Sequence, residues 1–98
     1  MEIDYKDTNI IMIGIKPFMN YVTAVKMQFD KNDEIFVVAR GKFISKAFDV
    51  IEVYKRNFMK DSILEYAEIK VDSQSFVNQD NKEIYVSTIE IKLIQKKK

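Results

Sequence analysis

The chain has 98 residues, 47% of them apolar and 32% charged, with 16 Lys and Arg against 15 Asp and Glu. That length and balance predict one folded domain around a single modest core, and they exclude both a disordered chain and a strongly basic one. Cysteine and histidine are both absent, which excludes disulfides, thiolate chemistry, and the commonest general base and metal ligand.

Residues 1–7 are polar, carry Glu2, Asp4 and Asp7, and do not look like a secretory leader. They are expected to form a flexible terminus ahead of one domain over residues 8–95. No apolar run approaches the ~20 residues of a membrane span, so the expectation is a soluble, cytoplasmic protein with no membrane partner. Residues 9–13 form a short apolar run that suits a strand buried on both faces. Gly14 ends the run, and Pro17 suits the first position of a helix, where its missing N–H costs nothing. Phe18, Val22, Val25 and Phe29 then recur at helical spacing until the polar stretch Asp30-Lys31-Asn32-Asp33. That stretch and Glu34 lack the spaced ligands and glycine of a calcium loop, so they read as a solvated turn.

Ile35 to Ala39 is a second apolar run, followed by Gly41 at the next turn. Ile44, Ala47, Ile51, Tyr54 and Phe58 make a second helical stripe. From Ile63 to Val77 the pattern alternates instead, with Ala67, Ile69 and Val71 set against Glu68 and Lys70. Residues 78–82 read as a turn, and Tyr85 to Leu93 alternates again. The prediction is an α/β two-layer sandwich in βαβαββ order. Two helices lie on one face of a four-stranded mixed sheet, and the hairpin of the last two strands protrudes. Lys96, Lys97 and Lys98 read as a frayed basic tail.

The chemistry concentrates at the two glycine turns. Each follows an apolar strand, opens an amphipathic helix and carries cations: Lys16 at the first, Arg40, Lys42 and Lys46 at the second. Helix N-termini attract anions through free N–H groups and the positive end of the helix dipole. No acid occurs between Thr8 and Phe29 or between Ile35 and Phe48, so these cations are unopposed in sequence. The pattern points to phosphate, and hence to nucleic acid, despite a net charge of only +1. Lone glycines do not make a nucleotide loop, and neither a paired-carboxylate nor a nucleophile–base arrangement is visible. No enzyme and no cofactor or metal site are expected.

These pieces, taken in order, resemble the Alba family of archaeal chromatin proteins. The resemblance rests on Gly14-x-Lys16-Pro17-x-Met19-Asn20-Tyr21 and on Ala39-Arg40-Gly41-Lys42-x-Ile44-Ser45-Lys46-Ala47-x-Asp49. It continues through Phe58, Asp61, Ser73-Gln74, Gln79-Asp80 and residues 86–91 (Val-Ser-Thr-Ile-Glu-Ile). It implies a homodimer that binds double-stranded DNA, and often RNA, with its body on the backbone and two hairpin arms along the minor groove. The phosphate contacts it implies are Lys16, Arg40, Lys42 and Lys46, with Lys82 on the arm. Ser45 either donates to a phosphate or caps its own helix. Asn20 lies within reach of nucleic acid, and Tyr21 either stacks on an unpaired base or packs in the core. Phe58, with Met59 and Asn57 beside it, either joins dimers into arrays on DNA or belongs to the core.

The chain departs from the family pattern at Ile15, which stands where a first lysine is usual and a modification site in some members. It departs again at the arm, where Asn81 stands for a glycine and Tyr85 for an arginine. Between Asp72 and Tyr85 three acids (Asp72, Asp80, Glu83) face one cation, Lys82, a charge ill matched to a DNA groove. The alternatives are an RNA-binding relative, or a protein-interaction module whose acidic arm meets a basic partner.

Overall fold

The computed structural model describes residues 9–97; the flexible terminus expected at 1–7 lies outside them, as does Lys98. The elements are β1 (Ile10–Met12), α1 (Phe18–Lys31), β2 (Glu34–Arg40), a 3-10 turn (Gly41–Phe43), α2 (Ile44–Phe58), β3 (Ser62–Val77) and β4 (Glu83–Lys97). The sheet order is β1-β2-β4-β3. β1 pairs parallel with β2, while β2–β4 and β3–β4 are antiparallel. This is the mixed four-stranded sheet with βαβαββ order that the hydrophobic periods predict.

One face of that sheet carries both helices. Ile35, Val37 and Ala39 of β2 and Ile89, Ile91 and Leu93 of β4 point into the core, opposite one another in register. Tyr21, Val22, Val25 and Phe29 of α1 meet them, with Ala47, Val50, Ile51 and Tyr54 of α2. The first two strands are therefore buried on one face only. Their odd-numbered residues go in, while Phe36 and Val38 are half-buried and Met12 is exposed. An antiparallel neighbour lets a sheet keep an uncovered face, which a continuous apolar run does not reveal. Pro17 also stands one place earlier than expected: it flanks α1 with an extended ψ of 144°, and Phe18 is the first helical residue.

The third strand contains a β-bulge between Tyr66 and Glu68 that leaves Ala67 without a partner on β4. A bulge shifts the side-chain alternation by one residue. Before it, Leu64 and Tyr66 face the helices; after it, Ile69 and Val71 take that side and Glu68 and Lys70 the other. Ala67 is thus exposed and does not share a face with Ile69, contrary to the simple alternation. β4 is longer than the apolar pattern suggested and takes in the first part of the expected basic tail. Lys96 pairs with Ile63, and its ammonium lies 3.0 Å from Glu65 Oε2.

Register also fixes where the hairpin leaves the body. Pairing of β2 with β4 stops at Arg40–Thr88, whereas β3 and β4 continue together to Val77–Glu83. The free hairpin therefore springs from the end of the sheet where β2 turns into α2, and it gives the molecule its longest dimension of 52 Å. At its tip the Asn81 N–H donates to the Asn78 carbonyl, and the Asn78 side chain accepts from the N–H groups of Asp80 and Lys82. Asn81 has φ +62°, the left-handed conformation that asparagine tolerates best after glycine, so it can fill the glycine position of the turn.

Candidate nucleic-acid interface

Because β1 and β2 run parallel, both helices begin at the same end of the sheet. Neither has a side-chain cap on its first turn, and neither has an acid there. Pro17 flanks the first helix and Phe43 the second; neither side chain can accept a hydrogen bond, so no side chain offsets the positive end of either helix dipole, although the N–H groups of Asn20 and Ile44 already bond to the carbonyls of Pro17 and Gly41. The exposed side chains around them include Lys16, Asn20, Arg40, Lys42 and Ser45. Residues 20 to 29 positions apart in the chain thus form one cationic platform, with the hairpin arm rising beside it.

Two side chains, Tyr21 and Lys46, organise this platform rather than decorate it. The Tyr21 hydroxyl accepts from the N–H of Gly14 at 2.9 Å and of Lys16 at 3.1 Å, while its ring is buried. Tyr21 therefore offers no face for stacking on a base: its ring fills the core, and its oxygen shapes the first turn. Gly14 accommodates this closely, since a Cβ there would lie 3.3 Å from the same oxygen. Lys46 is half-buried, and its ammonium donates to the carbonyls of Gly14 at 2.6 Å and Lys16 at 2.9 Å. It also sits 4.9 Å from the centre of the Tyr21 ring. Two of its three donors thus tie the second helix to the first turn, leaving one for an outside anion. Sequence spacing placed Lys46 among the outward phosphate contacts, and it could not show these carbonyls some 30 residues upstream.

The second turn is held by Gly41, at φ +54°, and a Cβ there would approach Val86 Cγ1 to 3.3 Å. Gly41 thereby lets the base of the arm close on the platform. Two residues not counted among the candidate contacts in the sequence also contribute. Phe43 has the ammonium of Lys42 at 5.4 Å and that of Lys46 at 5.8 Å from its ring centre. Gln74 Oε1 accepts from Arg40 Nη1 at 3.4 Å, linking arm and platform. Phe43 was visible as an aromatic flanked by cations; Gln74 reaches Arg40 only through the pairing of three strands. Ser45 is exposed, with no side-chain hydrogen bond among the described residues, so it does not cap α2.

Lys82 stands apart at the arm tip, next to Glu83 and exposed. Farther away, at the C-terminal end of α2, Phe58 and Asn57 are exposed while Met59 is buried among the core residues. Met59 is accordingly a packing residue and not a surface contact: the backbone leaves the helix there and turns its side chain inward. Phe58 continues a stack with Tyr54 and Phe29, at ring separations of 5.6 and 5.5 Å. Burial, and secondarily the Asp30 carboxylate, raise the pKa of the Tyr54 hydroxyl, which donates to Gln95. Among the described residues there is no group of acidic side chains that could hold a metal ion.

A family model described as Alba matches residues 9–73. The chain is 44% identical over 89 residues to the DNA/RNA-binding protein Alba of Picrophilus torridus, covering 89% of this chain and 96% of that one. It is 46% identical over 88 residues to the protein of the same name from Thermoplasma acidophilum, with the same coverages of 89% and 96%. The solved structure of Alba from Thermoplasma volcanium superimposes with a TM-score of 0.77 at 44% identity, over 88% of this chain and 99% of the other. With the platform, the arm and these matches in agreement over nearly its whole length, the chain belongs to the Alba family.

Proposed function

We propose that the protein is a dimeric, chromosome-associated protein that binds double-stranded DNA mainly through its phosphate backbone. The platform rests on the phosphates, and the hairpin arms lie along the minor groove. The observation that carries this reading is the convergence of two uncapped helix N-termini with Lys16, Arg40 and Lys42, where neither first turn holds an acid. The naming of the relatives as DNA/RNA-binding proteins supports it. The reading needs no cofactor and no catalytic step.

Salt dependence tests it directly. Three cations per chain, counted over two chains, give six available to phosphates, with Lys46 largely engaged inside the protein. Each phosphate neutralised contributes about −0.9 to the slope of log K against log salt, so with roughly four to six of these cations engaged the slope should lie near −4 to −5. A slope near zero would overturn backbone binding. Structured RNA in the same titration decides which polymer is preferred, and failure to bind either would favour the acidic arm as a protein-interaction element.

Dimerisation is supported by an apolar strip that the helices leave uncovered. β3 is an edge strand, and its helix-side residues Ile69 and Val71 are 47% and 71% exposed. Phe48, Ile44 and Tyr66 lie half-buried on the adjoining surface, with the Phe48 and Tyr66 rings 6.3 Å apart. The Tyr66 hydroxyl donates to Glu52 at 2.6 Å, and burial together with that carboxylate raises its pKa, so it stays protonated. Pairing two such strips removes apolar surface from water at both copies. The wild-type chain should sediment as a dimer at micromolar concentration, and Val71→Asp as a monomer that keeps its far-ultraviolet spectrum. A monomeric wild type would sink the dimer.

A further inference from the structure

Between the platform and the base of the arm lies an open cleft of about 560 Å³. Its walls include Met12, Phe43, Phe76 and Val86, with Arg40 and Gln74 as its polar side chains. Backbone binding gives no account of it, because phosphates need cations and N–H groups, and this cleft is mostly apolar. Its size falls in the ordinary range of small-ligand sites.

We propose that this cleft receives one unstacked nucleobase from a bound strand, so that the protein prefers nucleic acid carrying an unpaired base over a perfect duplex. This rests on the nucleic-acid reading and extends it to the kind of structure selected. Three features point to a base. First, charge: Arg40 is the one charged side chain in the lining, and exposed Lys16 and Lys42 flank it, so a polyanionic strand is drawn to this mouth. Second, an aromatic surface is free. Phe76 is 50% exposed and, among the described residues, has neither a ring nor a cation against it, whereas Phe43 already carries two ammonium groups. The Phe76 ring therefore presents an open face, and a base's flat face is suited to stack on it. Third, the polar pair is oriented. Arg40 Nη1 donates to Gln74 Oε1, which leaves the Gln74 amide N–H₂ and the planar guanidinium available to a base edge or face.

The geometry accounts for both members of the pair. Gln74 and Phe76 alternate on one face of β3, opposite Val86 and Ile84 of β4. Arg40 ends β2 beside Thr88. One strand hairpin therefore supplies the stacking ring and the amide, while the platform supplies the cation.

The test uses a DNA duplex with a single bulged 2-aminopurine, the same duplex fully paired, and the matching pair in RNA. Wild-type protein should bind the bulged duplex about tenfold more tightly than the paired one, in keeping with one base stacked on an aromatic side chain. The fluorescence of the bulged base should fall on binding. Phe76→Ala should abolish the quenching and bring affinity for the bulged duplex down to that for the paired one; Phe76→Tyr should restore both the preference and the quenching. Equal binding of bulged and paired duplexes by wild type would overturn the base site alone. So would a preference that survives Phe76→Ala. Absence of binding to every duplex would overturn the nucleic-acid reading as well. The DNA and RNA arms show which polymer supplies the base.

Discussion

Replacing Lys46 with methionine should lower folding stability by about 2 kcal/mol and weaken DNA binding at least tenfold. Methionine keeps much of the lysine stem's packing, so the change isolates the ammonium. That group makes hydrogen bonds of 2.6 and 2.9 Å to the carbonyls of Gly14 and Lys16. A hydrogen bond to a charged group contributes about 1.5–3 kcal/mol net. The bond to Lys16 lies at the surface, where water replaces much of it, so the pair is set at the lower part of what two such bonds would give. Loss of the ammonium also removes a cation 4.9 Å from the Tyr21 ring. The turn carrying Lys16 is then untethered, and a mobile turn must be ordered again each time it meets a phosphate. Urea unfolding of wild type and variant, beside a DNA titration at fixed salt, measures both effects. If affinity falls while stability is unchanged, Lys46 acts as an outward phosphate contact and the strut assignment is wrong. Lys46→Arg should rescue only in part, because a larger, planar guanidinium holds its donors in a fixed fork that does not fit a pocket shaped for a compact ammonium.

Arg40→Ala and Lys42→Ala should each weaken duplex binding by on the order of 1 kcal/mol or more, with Lys82→Ala costing distinctly less. Arg40 and Lys42 stand where the positive end of the helix dipole adds to their own charge. No acid lies in the first turn of that helix to offset them. Lys82 sits on the arm tip, adjacent to Glu83 and two residues from Asp80, where attraction to phosphate is largely cancelled. Glu83→Lys should therefore strengthen binding by removing a repulsion at the groove. Losses from Arg40 and Lys42 should be alike across perfectly paired sequences, since backbone contacts read no bases. One titration series at fixed salt with all four variants suffices. If Lys82→Ala is the most damaging, or Glu83→Lys has no effect, the arm governs affinity and the platform does not.

Much of this molecule is determined by local pattern. Helical spacing in Phe18–Phe29 and Ile44–Phe58 fixes two helices, because a 3.6-residue period can bury its apolar stripe in only one conformation. The runs at 9–13 and 35–39 fix two strands, and the polar residues 78–82 fix the arm's turn. The glycine turns with their cations are likewise legible, since a strand, a glycine and a helix start lie consecutively in the chain. What the sequence could not supply depends on residues far apart in it. The bulge at Ala67 is one case: register is set by what β4 offers across the gap, and it reverses the face of every residue beyond it. The inward turn of Met59, the buried ring of Tyr21 and the carbonyls that hold Lys46 are others. An exposed lysine and a strut have the same side chain; only the fold decides whether backbone carbonyls lie within its reach. The cleft beside Phe76 is assembled from all four strands and the two glycine turns, and no stretch of sequence contains it.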